Sequence, residues 1–98
     1  MYLVTGATGN VGSKIAERLL NQGEKVRLFL RDAKKAEPWR TQADISVGDF
    51  TKPETFKPAL EGIKAVFLMN RGPDQKTFGE FVGAARDLGV EKIVFLST

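Results

Sequence analysis

Five short strand-like runs divide this chain, and stretches with helical spacing or turn residues fill the intervals between them. The runs are Tyr2–Thr5, Val26–Leu30, Asp44–Val47, Ala65–Met69 and Ile93–Ser97. In the first interval, Val11, Ile15 and Leu19 fall on one face of a helix over Asn10–Gln22. Gly23 stands where a C-terminal glycine belongs. The run Ala65–Met69 lacks the alternation of a half-exposed strand, as expected of a strand covered on both faces. Strands that alternate with helices cannot pair as hairpins. They predict a parallel sheet with right-handed crossovers.

The remaining intervals are less regular. Ala33–Thr41 is ambiguous, because Pro38 permits at most a short helix. Thr51-Lys52-Pro53-Glu54 has the spacing of a capping box, with proline in the first turn. The helix it starts turns Phe56 and Leu60 inward and ends at Gly62. A last helix, from about Asp74 to Leu88, carries Phe78, Phe81, Val82, Ala85 and Leu88 at helical spacing and closes at Gly89.

The turn after the first strand carries the chemistry. In Thr5-Gly6-Ala7-Thr8-Gly9-Asn10-Val11-Gly12, glycine recurs every third residue between a strand and a helix. Gly6 lets the chain leave the strand sharply. Gly9 removes the Cβ that would obstruct a pyrophosphate, and Gly12 lets the helix approach the sheet. Amides at the helix start then meet the negative group, aided by the helix dipole. Glycines in any other context would only mark a turn. Here Gly6, Thr8, Gly9, Asn10, Val11 and Gly12 are the expected phosphate cradle. The expected fold is α/β: a Rossmann-like three-layer sandwich with a five-stranded parallel sheet in the order 3-2-1-4-5. Its ligand would lie at the carboxyl ends of the strands, at the switch point between strands 1 and 4.

Composition removes competing chemistries. The 98 residues suffice for one domain, taken as 1–98. There is no cysteine and no histidine, so disulfides, thiolate catalysis and a Ser-His-Asp triad are excluded, and a zinc site is not expected. No apolar run approaches the roughly 20 residues of a membrane span, and the N-terminus does not read as a signal peptide. The expected location is the cytoplasm. The net charge of +3 is spread among interleaved acids, as in Lys57…Glu61…Lys64, which argues against a nucleic-acid partner.

The stretches Val4–Gly12, Val26–Ala36, Gly48-Asp49-Phe50, Ala65–Asn70 and Lys92–Thr98 together resemble the N-terminal part of atypical short-chain dehydrogenases/reductases. The resemblance is strongest to the NmrA-like and NAD(P)H-binding quinone reductase families. It implies a dinucleotide cofactor. It sets Leu30 where NAD-preferring relatives carry a ribose-binding acid, and Arg31 where NADP-using relatives bind the 2′-phosphate, with Lys34 and Lys35 nearby. NADP is therefore expected over NAD. Asp32 complicates this, since it lies about 20 positions beyond Gly12, the generic spacing of a ribose-binding acid. Its other reading is to begin the next helix or pair with a lysine. The resemblance also implies that Asp49 and Phe50 lie beside the adenine, and that Met69 and Asn70 lie near the nicotinamide ribose.

The catalytic half is not legible. Hydride-transferring relatives carry a Tyr-xxx-Lys pair beyond strand 5, and this chain's single tyrosine is Tyr2. No catalytic residue is assigned, and strands 6 and 7 and a substrate lobe are not found. Three functions remain open: part of an NADPH-dependent oxidoreductase, a non-catalytic NADP-sensing regulator, or a minimal nucleotide-binding module. A homodimer joined through the edge of strand 5 is a further expectation, from the apolar run Ile93-Val94-Phe95-Leu96.

Overall fold

The structure, a computed structural model, describes residues 1–5, 10–39, 41–49, 52–69 and 75–96. Strands β1 (Tyr2–Thr5), β2 (Val26–Leu30), β3 (Asp44–Val47), β4 (Ala65–Met69) and β5 (Lys92–Leu96) form one parallel sheet in the order β3-β2-β1-β4-β5. Helix α1 spans Asn10–Asn21, α2 Phe56–Leu60 and α3 Gln75–Asp87, and a 3-10 helix covers Ala33–Trp39. The expected order and parallel pairing are both observed. β5 begins one residue earlier than the apolar pattern suggests, because Lys92 still pairs with Ala65.

Side-chain alternation along the strands builds the two faces. Leu3, Phe29, Val66 and Leu68 pack with Phe56, Ala59, Leu60, Phe81 and Ala85 from α2 and α3. Three rings form the centre of this layer, with the centroids of Phe56 and Phe81 5.1 Å apart in an edge-to-face arrangement and Phe29 5.8 Å from Phe81. Val4, Val26, Leu28 and Leu30 face the other way, onto Ala16 of α1, with Ile15, Leu19 and Trp39 at the margin. Trp39 thus packs against this face of the sheet, partly buried. Gly23, Gly62 and Gly89 each follow a helix with φ of 82°, 76° and 87°, the left-handed conformation that lets the chain turn back into a strand.

The start of α2 departs from the sequence reading. Thr51 lies outside the described residues. Lys52 occupies the N-cap position of a 3-10 turn over Pro53–Thr55, and no side-chain hydrogen bond caps it. α2 is instead secured at its other end by Arg27 of β2. The Arg27 Nη1 donates to the carbonyls of Ala59 (2.9 Å), Glu61 (2.8 Å) and Pro58 (3.2 Å), while Nε donates to Asp44 Oδ2 at 2.8 Å. One guanidinium therefore satisfies carbonyls that the helix end leaves without partners and ties them to β3.

Candidate dinucleotide site

The carboxyl ends of β1 and β4 lie side by side at the middle of the sheet. The β1–β2 register continues to Thr5↔Phe29, whereas the β1–β4 register runs only to Val4↔Phe67. At that point the Thr5 hydroxyl, 1% exposed, donates to the Phe67 carbonyl at 3.3 Å. A side-chain bond thus spans the two strands where their backbone ladder stops. This is the switch point at which open α/β sheets bind ligands.

Gly6, Thr8 and Gly9 of the expected cradle lie outside the described residues. Asn10 and Val11 open α1, and Gly12 is buried within its first turn. No acidic residue stands in the first turn of this twelve-residue helix, and a negative charge there would weaken the pull of its positive end on an anion.

The end of β2 supplies the charge. Arg31, Lys34 and Lys35 are all exposed. Asp32 Oδ1 accepts the Lys34 amide at 2.9 Å, and its carbonyl accepts the Lys35 amide at 3.1 Å. Asp32 therefore opens the 3-10 helix that follows, the structural of its two sequence readings.

β3 ends beside the same cations. Leu30 pairs with Val47, and the Gly48 amide donates to the Leu30 carbonyl at 2.9 Å. Arg31 and Asp49 thus each follow one partner of a single backbone bridge. Asp49 is half-buried, and its amide donates to Thr55 Oγ1 at 3.1 Å. A Cβ on Gly48 would lie 2.8 Å from both Cβ and Oγ1 of Thr55 and would also strike Phe29, so only glycine admits this approach. Phe50 and Asn70 lie outside the described residues. Met69 ends β4 opposite Leu96. Tyr2 packs beside Phe67, with ring centroids 6.1 Å apart, at the opposite end of β1 from the crevice.

Two residues important to this geometry carry no sequence signal of their own. Arg27 resembles any strand arginine until α2 is placed. Thr55 lies six residues from Asp49, and the capping pattern at Thr51 draws attention away from it. Among the described residues there is no group of three or more acids that could hold a metal ion, and no helix is long and apolar enough to cross a membrane.

Residues 6–98 match a family model described as NAD(P)H-binding, and the chain belongs to that family. It is 35% identical over 97 residues to the (4-alkanoyl-5-oxo-2,5-dihydrofuran-3-yl)methyl phosphate reductase of Streptomyces griseus, covering 99% of this chain and 34% of that protein. Identity reaches 37% over 106 residues with the nitrogen metabolite regulation-like protein bik4 of Gibberella fujikuroi, covering 98% of this chain and 32% of that one. Among solved structures, the Citrobacter triphenylmethane reductase complexed with NADP(H) superposes with a TM-score of 0.84 at 28% identity, over 97% of this chain and 36% of that one. The kinship with NmrA-like and related reductases expected from the motifs is what these matches show. The chain spans about a third of the length of these relatives.

Proposed function

We propose that this chain holds NADPH across the carboxyl end of its sheet, as the nucleotide-binding part of a cytoplasmic NADPH-dependent oxidoreductase. The observation that carries the cofactor choice is Arg31. It follows Leu30 directly at the end of β2, is exposed, and is flanked by Lys34 and Lys35, while the nearest acid, Asp32, engages the backbone. A guanidinium can donate two parallel hydrogen bonds to a phosphate, and the leucine before it can accept nothing from a ribose hydroxyl.

In this reading Gly6, Thr8, Gly9, Asn10, Val11 and Gly12 hold the pyrophosphate, with amides at the start of α1 donating to it. Arg31 and Lys35 bind the 2′-phosphate. Asp49 and Phe50 flank the adenine, and Met69 and Asn70 lie at the nicotinamide ribose. The bound cofactor would supply a hydride, and this chain's own residues bind and orient it. The same residues would serve a regulator that senses NADP without turnover, a reading favoured by the regulation-like relative. A second copy of the chain is the proposed partner at β5, which among the described residues pairs only with β4 and leaves Phe95 57% exposed.

Gly9→Val tests the position of the cofactor, because it puts a branched side chain into the space assigned to the phosphates. Titration monitored by nicotinamide fluorescence should show no binding to the variant, with its circular dichroism spectrum unchanged. A folded variant that binds NADPH as the parent does would contradict the assignment.

A further inference from the structure

We propose that Thr55 is the positioning residue of the adenosine end of the site, an assignment that rests on the NADPH reading above. Its hydroxyl accepts the Asp49 amide at 3.1 Å and lies 2.7 Å from the Lys52 carbonyl, to which it donates. The Lys52 amide also donates to the Asp49 carbonyl, at 2.9 Å, so Asp49, Lys52 and Thr55 are mutually hydrogen-bonded. Thr55 is itself fixed. It stands directly before α2, and the far end of α2 is pinned to β2 and β3 by Arg27. Gly48 fits between Phe29 and Thr55 with no room for a Cβ, so the corner cannot move closer to α2.

The other end of the corner is fixed to the sheet by the bond from Gly48 to the Leu30 carbonyl, one residue before Arg31. The bond to Leu30 keeps Asp49, assigned to the adenine, beside the strand end that carries Arg31, assigned to the 2′-phosphate, and the Thr55 hydroxyl fixes the Asp49 backbone at that point. The ligand whose binding depends on that placement is a 2′-phosphorylated adenosine. The nicotinamide half, assigned to the ends of β1 and β4, is independent of it.

The test compares the parent chain, Thr55→Val and Thr55→Ser for binding of 2′,5′-ADP, nicotinamide mononucleotide and NADPH, well below each melting temperature. Valine keeps the shape and removes the hydroxyl. It should weaken 2′,5′-ADP about fivefold, the worth of one ordinary hydrogen bond, and leave nicotinamide mononucleotide unchanged. Serine should restore binding. Equal weakening of both fragments would show a merely structural role and overturn the proposal, as would a valine variant that binds like the parent. A parent that binds neither NADPH nor 2′,5′-ADP would overturn the NADPH reading and this assignment with it. Should Thr55→Val not fold, the parent still decides the matter by nuclear magnetic resonance. The amide signals of Asp49 and Thr55 should shift with 2′,5′-ADP and not with nicotinamide mononucleotide, and signals unmoved by 2′,5′-ADP would overturn the proposal.

Discussion

Asp32 and Arg31 are adjacent in sequence and carry opposite expectations for the cofactor. Spacing alone favours the aspartate as a ribose acceptor. The structure gives its carboxylate a backbone partner, the Lys34 amide at 2.9 Å, and leaves the neighbouring arginine exposed. Sequence could not separate these roles, because an aspartate that caps a turn and one that binds a sugar look alike until the next three residues are folded. Arg31→Ala should therefore weaken NADPH by about 1.5–3 kcal/mol, the range for hydrogen bonds to charged groups. That is roughly a ten- to hundredfold loss of affinity. NADH should be nearly unaffected, as calorimetric titration of both cofactors would show. Equal losses for the two would mean that Arg31 does not contact the 2′-phosphate.

At the scale of elements, the strands were readable because each is a short β-rich run with glycine or polar residues on each side, wholly apolar at the buried β4 and alternating with polar residues at the exposed edge strand β3. β1 to β4 coincide with those runs. The glycines closing the helices were legible for a related reason, since Gly23, Gly62 and Gly89 all adopt positive φ. The approach to α2 was not legible. Its threonine–glutamate spacing is that of a capping box, yet Lys52 stands at the N-cap and the decisive hydroxyl is Thr55, through a contact with the loop after β3. Such a contact depends on tertiary structure, so no local pattern encodes it. Glycines separate on the same principle. In α3 a Cβ at Gly79 meets nothing within 4 Å, so Gly79→Ala should stabilise the fold by about 0.5–1 kcal/mol through helix propensity. Gly48→Ala should destabilise it by about 1–3 kcal/mol, because the added methyl overpacks against Thr55 and Phe29. Urea denaturation reads both effects, and a neutral Gly48→Ala would contradict the packing described at this corner.

For the molecule as a whole, α1 and the Ala33–Trp39 segment cover one face of the sheet and α2 and α3 the other, and among the described residues the exposed large apolar side chains, Val47 and Phe95, stand on the edge strands β3 and β5. β5 combines that exposure with a β-rich sequence, and pairing of two copies along it would cover both. Light scattering over a range of concentrations should show a dimer that Val94→Pro, which removes an edge donor, shifts towards monomer. A parent chain that stays monomeric at high concentration would contradict the proposed contact. The function of the chain depends most of all on what the crevice between β1 and β4 holds. The direct measurement is calorimetric titration of the unmodified chain with NADPH and NADH under the same conditions. The expected result is saturable binding of one NADPH per chain, with NADH at least tenfold weaker. Absence of binding by either cofactor, or tighter binding of NADH, would contradict it.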